Sequence, residues 1–324
     1  MNPSSHSASA RVVSQTFSES EDLEAAIGNA QLEFCQLMPG KFEARMTRAR
    51  FDRAFAYFGW QRTGCISYGA DGCGFFLKLR SEGEVRGNGR RLNDGEFVIY
   101  RPGAEHFGYA KAGMEWVYFM VPPEVLERTI LVACGGEQDM PWQKCLIVQP
   151  DAKSAAALRD TACRVLSTLR ANPRAIDTAA PRRAMEQSLL DAFKQAMINA
   201  SEWRSGKEMR GVSHWRVVSR AREYFRSRLG RPIYMPELSK AVAISDRSLR
   251  MAFYDLYGVS PNRYLKLLRL TQVRRELRKA RPDFTTVMET ATRCGFWDMG
   301  RFAVEYKQMF GESPSHTLRK AAPA

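Results

Sequence analysis

The stretch Ser248-Leu249-Arg250-Met251-Ala252-Phe253-Tyr254-Asp255-Leu256-Tyr257-Gly258-Val259-Ser260-Pro261 has a second copy further along the chain, Arg301-Phe302-Ala303-Val304-Glu305-Tyr306-Lys307-Gln308-Met309-Phe310-Gly311-Glu312-Ser313-Pro314. Apolar or aromatic residues, Gly, Ser and Pro coincide at an offset of 53. Upstream the offset becomes 52, matching Ser239, Ala243, Ile244 and Asp246 with Thr292, Gly295, Phe296 and Asp298, so one residue is inserted in the second copy's turn. A repeat of this kind marks one supersecondary unit used twice.

Each copy predicts helix, tight turn, helix. In the first, Pro236 to Val242 is a short helix and Ala243-Ile244 the turn. Ser245 or Asp246 caps a second helix that runs to Tyr257, where Gly258 stops it. In the second, Thr285 to Arg293 leads through Cys294-Gly295-Phe296-Trp297 to a cap at Asp298, and Gly311 ends the helix after Phe310. Leu249, Phe253 and Leu256 or Tyr257 share one face. Phe302, Tyr306 and Met309 or Phe310 do so in the second copy.

A capped helix of about 12 residues fits the major groove of DNA while its partner braces it. The outward residues are then the base readers: Arg247, Arg250, Met251 and Tyr254 in copy one, Met299, Arg301, Val304 and Lys307 in copy two. Ser245, Asp246 and Ser248, with Trp297 and Asp298, lie at the entry to each reading helix and join the candidate DNA-binding set. Arginine can grip guanine O6 and N7 bidentately, and Met or Val can meet a thymine methyl. Between the copies, Tyr264, Leu267 or Leu268, Thr271 and Leu277 fall on one face of a helix over 261–281. Tyr264 to Lys279 would span about 24 Å, which sets the two readers roughly one turn of DNA apart. Lys279 and Lys320 lie off the reading faces and are expected to add affinity without sequence preference.

Charge agrees with this. The formal net charge is +14, and residues 207–324 hold 24 Lys and Arg against 11 Asp and Glu, leaving 25 against 24 for residues 1–206. A polyanion partner, double-stranded DNA, is the natural reading of so local an excess, because neutralised phosphates release counterions. The plainer alternative is a pair of amphipathic helices with solvated basic faces, against which stand two matched copies and the localised charge.

The residues match a known family. Leu238 to Leu249, Gly258-Val259-Ser260-Pro261, Arg269, Gly295-Phe296 and Tyr306 through Pro314 make the segment from Ser213 to Arg319 resemble the DNA-binding domain of the arabinose-regulator (AraC/XylS) family. Within it, Leu267-Leu268-Arg269-Leu270, Val273-Arg274-Arg275-Glu276-Leu277, Cys294-Gly295-Phe296-Trp297 and Pro314-Ser315-His316-Thr317-Leu318 are most similar to the ethanolamine-utilisation regulators. The resemblance implies regulation of nearby operons, usually activation, through RNA polymerase and a small-molecule effector. One departure is Met299-Gly300, where family members often carry polar side chains early in the second reading helix. Copy one is therefore expected to supply more of the specificity.

The N-terminal half reads differently. From Leu32 to Val121, short aromatic and β-branched runs are broken by turn residues, including Gly69-Ala70-Asp71-Gly72, which predicts an antiparallel sheet or small barrel. Leu92 through His106 resembles the strand-turn segment of the cupin-type barrel that many such regulators use as an effector domain. Phe75, Tyr100, Trp116 and Tyr118 on alternating strand positions, with His106, are candidate effector contacts, though the plainer reading of the aromatics is core and that of His106 is a turn or hydrogen-bonding histidine. After Pro122-Pro123 the pattern turns helical. Leu158, Ala162, Val165 or Leu166 and Leu169, then Met185, Leu189 or Leu190, Phe193 and Met197, form apolar stripes that either pad the barrel or pair across a homodimer axis.

The expected fold class is thus α+β. A cupin-like β-barrel at about 32–121 with helices at about 123–203 makes an effector and dimerisation domain over 1–206. An all-α DNA-binding domain follows over 207–324, with helix-turn-helix units at about 235–257 and 284–310. The Ser-rich first twenty residues read as mobile, and 204–207 as linker. Seven scattered cysteines without a CxxC pair, and four histidines without an HxH, point to no disulfide framework, metal or cofactor. No run is long and apolar enough for a membrane span and no signal peptide is evident, so a cytoplasmic location is expected. No nucleophile-base constellation is evident and no catalytic residue is assigned. The alternatives are a repressor, a DNA-shaping architectural protein, or a metal-free enzyme fused to a DNA module.

Overall fold

The computed structural model describes residues 10–28, 31–135, 145–205, 208–209 and 212–320. Its first part runs β1 (Val12–Phe17), α1 (Ser20–Ile27), β2 (Gln31–Gln36), β3 (Ala44–Arg50), β4 (Phe55–Gln61), β5 (Cys65–Ser81), β6 (Val85–Gly87), β7 (Arg90–Arg91), β8 (Phe97–Ala110) and β9 (Met114–Met120). Then follow α2 (Pro123–Ala133), β10 (Cys145–Pro150), α3 (Ala152–Ala171), α4 (Ala179–Ile198) and β11 (Ala200–Ser205). A short hairpin of β12 (Glu208–Met209) and β13 (Val212–Ser213) precedes α5 (His214–Ser227), α6 (Met235–Ala241), α7 (Asp246–Tyr257), α8 (Pro261–Lys279), α9 (Val287–Arg293), α10 (Met299–Phe310) and α11 (Pro314–Lys320). The protein is mixed α+β, with a β-rich N-terminal region and a helical C-terminal one.

The cupin-like barrel expected over about 32–121 is not closed, and the strands form an open sheet. They pair antiparallel along the path β1-β3-β4-β9-β5-β8-β10-β11, with β2, β6 and β7 branching from β5 and β8, and no pairing among the described residues closes the path into a ring. The long strands β5 and β8 bend so that each serves two layers. The first half of β5 pairs with β2 and the end of β8, and its second half pairs with β9 and the start of β8. Gly69 to Gly72, read from the sequence as a turn, is instead a place where the strand continues through shifts of register. Gly74 makes the bend possible: its φ is +148°, and a Cβ there would lie 2.1 Å from the carbonyl oxygen of Phe119. The chain also begins its ordered pairing earlier than its Ser-rich composition suggested, since Val12–Phe17 pairs with β3. Residues 206–207 of the expected linker lie outside the described residues.

Alternation along β9 divides the cores. Val117, Phe119 and Val121 face a layer shared with α2, α3 and α4, while Trp116, Tyr118 and Met120 face the space between the two sheet layers. Leu158, Ala162, Val165 and Leu169 of α3, with Leu189, Phe193 and Met197 of α4, are buried in the first layer. Phe193 stacks on Phe75 at 4.5 Å between ring centroids, and burying one such ring contributes about 2–3 kcal/mol. The stripes expected to pair across a dimer axis therefore pad the sheet of their own chain.

The C-terminal helices share a continuous core with the N-terminal region, in which Cys35, Leu37, Ile66, Phe107 and Tyr109 pack with Phe225, Phe253, Tyr257 and Tyr264. Around it α8 is held by carboxylates on and beside α1: Arg274 meets Glu19, Arg275 meets Glu24 at 2.6 Å, and Arg278 meets Asp22 at 3.0 Å. Arg222 of α5 meets Glu33 at 2.9 Å, and Arg226 shares that carboxylate. Five arginines of the basic C-terminal third are thus paired with N-terminal acids, and the charge left for a polyanion is correspondingly smaller.

Candidate nucleic-acid interface and interlayer cavity

Both reading helices begin and end on the residues whose chemistry marks helix boundaries. Ser245 Oγ accepts from the Ser248 amide at 3.2 Å and Asp298 Oδ1 from the Arg301 amide at 2.9 Å, while Gly258 (φ +64°) and Gly311 (φ +73°) end α7 and α10 in the left-handed conformation. The turns before them match as well, with Ala243 (φ +59°) standing where the second copy has Gly295 (φ +84°). These caps fix the phase of each helix. On α7, Leu249, Ala252, Phe253, Leu256 and Tyr257 are buried, and Arg247, Arg250, Met251 (43 % exposed) and Tyr254 (52 %) face outward. On α10, Phe302, Tyr306, Met309 and Phe310 are buried, and Arg301, Val304 and Lys307 face outward, with Trp297 exposed just before them.

The outward faces are not equivalent. Arg247 and Arg250 carry no ion pair among the described residues, whereas Arg301 Nε is held by Glu305 at 3.0 Å, a carboxylate that also takes Lys266 at 2.6 Å. Met299 is half-buried. Ser245, Asp246 and Asp298 are engaged locally: Ser245 and Asp298 cap their helices, and Asp246 accepts from Ser239 Oγ. Ser248 is half-buried beside the cap. Between the two units α8 is 19 residues long, or about 28 Å. Arg269 pins it by donating to the carbonyls of Leu229 at 3.0 Å and Arg231 at 2.7 Å.

A cavity of about 60 Å³ lies between the sheet layers, walled by Phe34, Ser67, Phe76, Arg86, Tyr100, His106, Tyr109, Trp116 and Tyr118 among others. Four of the five candidate effector contacts, Tyr100, His106, Trp116 and Tyr118, line it. Phe75 does not: it faces the helical layer against Phe193, and its neighbour Phe76 takes the cavity side. The register shifts in β5 reverse the alternation there, which sequence parity misses. His106 is held at both ring nitrogens, by Ser67 Oγ at 2.8 Å and by the Tyr100 hydroxyl. Burial pushes its pKa down to about 4, so it is neutral at pH 7. Burial likewise raises the Tyr100 and Tyr118 hydroxyls. The glycines make this arrangement possible: a Cβ at Gly72 would lie 2.2 Å from the Tyr118 hydroxyl, and one at Gly108 would lie 2.1 Å from Ser67 Oγ.

Sequence reasoning missed Arg86, Tyr109, Ser67 and Phe76. Arg86 and Tyr109 connect the cavity to the helical domain, since a Cβ on Gly258 would lie 2.6 Å from the Tyr109 ring. Among the described residues no group of three or more His, Cys, Asp or Glu is placed to hold a metal ion, and no helix is long and apolar enough to cross a membrane. The free cysteines are mostly buried, and burial pushes the Cys35 thiol up to about 11 and the Cys145 thiol up to about 12.

A family profile described as "Helix-turn-helix domain" matches residues 238–320. The "Probable thc operon regulatory protein" of Rhodococcus erythropolis is 40% identical over 103 residues, which is 32% of this chain and 31% of that protein. The "XylDLEGF operon transcriptional activator 1" of Pseudomonas putida is 34% identical over 98 residues, 30% of each. This chain thus spans about a third of the length of the curated relatives it matches. A solved structure of a "probable AraC family transcriptional regulator" from Rhodopseudomonas palustris is 39% identical, covering 33% of this chain and 98% of that one, at a TM-score of 0.31. Residues 238–320, within the C-terminal third of this chain, are thus similar to a helix-turn-helix domain, and the relatives matched bear the names of operon regulators.

Proposed function

We propose that the protein is a sequence-specific DNA-binding transcription regulator that responds to a small effector, with residues 207–324 binding double-stranded DNA and residues 1–206 binding the effector. The observation that carries this is the matched pair of capped helices α7 and α10, each with a buried aromatic face and an exposed outer one. Arg247, Arg250, Met251 and Tyr254 are the principal readers. Trp297, Arg301, Val304 and Lys307 follow from the second unit, and Ser245, Asp246, Ser248, Asp298 and Met299 set the helix entries. The free guanidinium groups of α7 and the paired one of α10 support a division in which the first unit supplies most of the base discrimination.

The two-layer β region with its aromatic-walled cavity supports a cupin-like effector module. The matched relatives bear the names of regulators of thc and XylDLEGF operons. Together with the finer likeness to ethanolamine-utilisation regulators, this supports a catabolic or neighbouring operon as target, with activation through RNA polymerase. A homodimer through α3 and α4 is not part of this reading, because the stripes that suggested it are buried.

Binding of the full chain to duplex DNA across a salt series tests the proposal. Log affinity should fall linearly with log salt, and a selected operator should bind about 10³-fold or more tighter than random duplex. Equal affinity for all sequences would leave only an architectural role.

A further inference from the structure

The walls of the cavity specify what it accepts. Its aromatic side chains, Phe34, Phe76, Tyr100, Trp116 and Tyr118, favour a flat apolar guest, and the rings of Phe76 and Trp116 are inclined by 27° with centroids 6.3 Å apart. The volume of about 60 Å³ is under half of the roughly 150 Å³ that admits benzene in an engineered apolar cavity. A guest is therefore no larger than one ring, and a wall must yield to admit it. Apart from Arg86, the polar side chains among the described lining residues are uncharged: Ser67, the tyrosines, and a histidine whose ring nitrogens are both engaged.

The one charged group in the lining, Arg86, is already committed. Glu84 takes its Nε at 2.9 Å and its Nη2 at 3.2 Å, and Nη1 donates to the carbonyls of Tyr254 and Asp255. No carboxylate lines the cavity among the described residues. An anionic or cationic guest would therefore be stripped of water without a counter-charge, which is strongly unfavourable. One donor, however, is left open. Trp116 is 4 % exposed, and its Nε1 has no hydrogen-bond partner, a state that buried donors rarely keep.

We propose that the cavity takes an uncharged, flat, mostly apolar ligand of about one ring, with a single acceptor atom that meets Trp116 Nε1. This rests on the reading of the cavity as the effector site and names the chemistry of its ligand.

A matched set of probes tests it on the full chain: benzamide, toluene, benzoate and benzylamine, titrated calorimetrically at pH 7. Benzamide should bind most tightly, and benzoate and benzylamine at least about tenfold more weakly, because each would bring an unpaired charge into the cavity. Trp116→Phe, which keeps a ring and removes the donor, should reduce the preference for benzamide over toluene by up to about tenfold. Benzoate or benzylamine binding as tightly as benzamide would overturn the proposal, as would failure of all four at millimolar concentration. An unchanged benzamide preference in Trp116→Phe would overturn the assignment of the donor. The charge comparison needs only the unaltered chain, so it stands even if the variant folds poorly. Operator binding separates this from the effector reading. If benzamide binds as described but leaves operator affinity unchanged, the ligand class stands and the effector role falls. If benzoate alone shifts operator affinity, the role stands and the class falls.

Discussion

Arg86 reaches from the cavity wall to the end of the first reading helix, where its Nη1 donates to the carbonyl oxygen of Tyr254 at 2.5 Å and to that of Asp255 at 3.3 Å. A cation at a helix C-terminus complements the helix dipole and satisfies carbonyls that lack intrahelical partners. Tyr109 beside it lies under the Arg86 guanidinium at 5.5 Å and against Gly258. Arg86 and Tyr109, which wall the cavity on this side, thus also contact the C-terminal end of α7.

Replacing Arg86 by Met keeps the aliphatic stem and removes the donors. The last turn of α7 should then exchange its amide hydrogens faster, with a loss of about 1 kcal/mol in stability. Unchanged exchange across 254–258 would show that the contact does not hold the helix end.

The two C-cap glycines should respond unequally. Alanine at either left-handed position costs about 1 kcal/mol for the backbone alone. At Gly258 the new Cβ also meets Tyr109 at 2.6 Å, whereas at Gly311 the nearest atom is Lys41 Cγ at 3.0 Å on a flexible side chain. Chemical denaturation should therefore rank Gly258→Ala as the more damaging. In the turns, Gly295→Ala should destabilise, since its Cβ would lie 2.6 Å from the Leu229 carbonyl oxygen, while Ala243→Gly should be neutral or mildly stabilising. A clear loss on Ala243→Gly would contradict the left-handed turn.

The junction of α1 and α8 carries a pH dependence. Burial pushes the Glu24 carboxyl from an ordinary 4.5 up to about 7, a rise that Arg275 and the Phe34 amide oppose and that Glu21 and Glu33 reinforce. The folded chain then holds a proton that the unfolded chain releases, so this contribution is fully present below about 4.5 and is lost as pH rises through 7. Glu24→Gln cannot ionise. The melting-temperature difference between the Glu24→Gln variant and the wild-type chain should grow in favour of the variant from about pH 5 to 8. A constant difference across that range would show that Glu24 is ionised throughout.

What the sequence revealed depended on how local the cause was. The caps at Ser245 and Asp298, the stops at Gly258 and Gly311, and the buried faces of α7 and α10 follow from residues within one or two turns, and the structure has them where the repeat implied. The α+β division was visible for the same reason. Phe75 went to the wrong side because the bulges near Gly72 change strand parity, an event that composition records only as two extra glycines. The clamp of Arg274, Arg275 and Arg278 on α1 joins segments some 250 residues apart, and such pairs leave no periodic trace. The stripes of α3 and α4 fitted a core and an interface equally, and only the fold decides between them.

Which helix reads DNA is measured directly by binding-site selection on the wild-type full chain and on Arg247→Ala and Arg250→Ala. Each arginine lies on the exposed face of α7 just past its cap, free of ion pairs among the described residues. Each substitution should cost about 1–3 kcal/mol on the best operator and relax the preference at one or two base pairs. If all three chains select the same motif with the same strength, α7 is not the reader and the proposed mechanism is wrong.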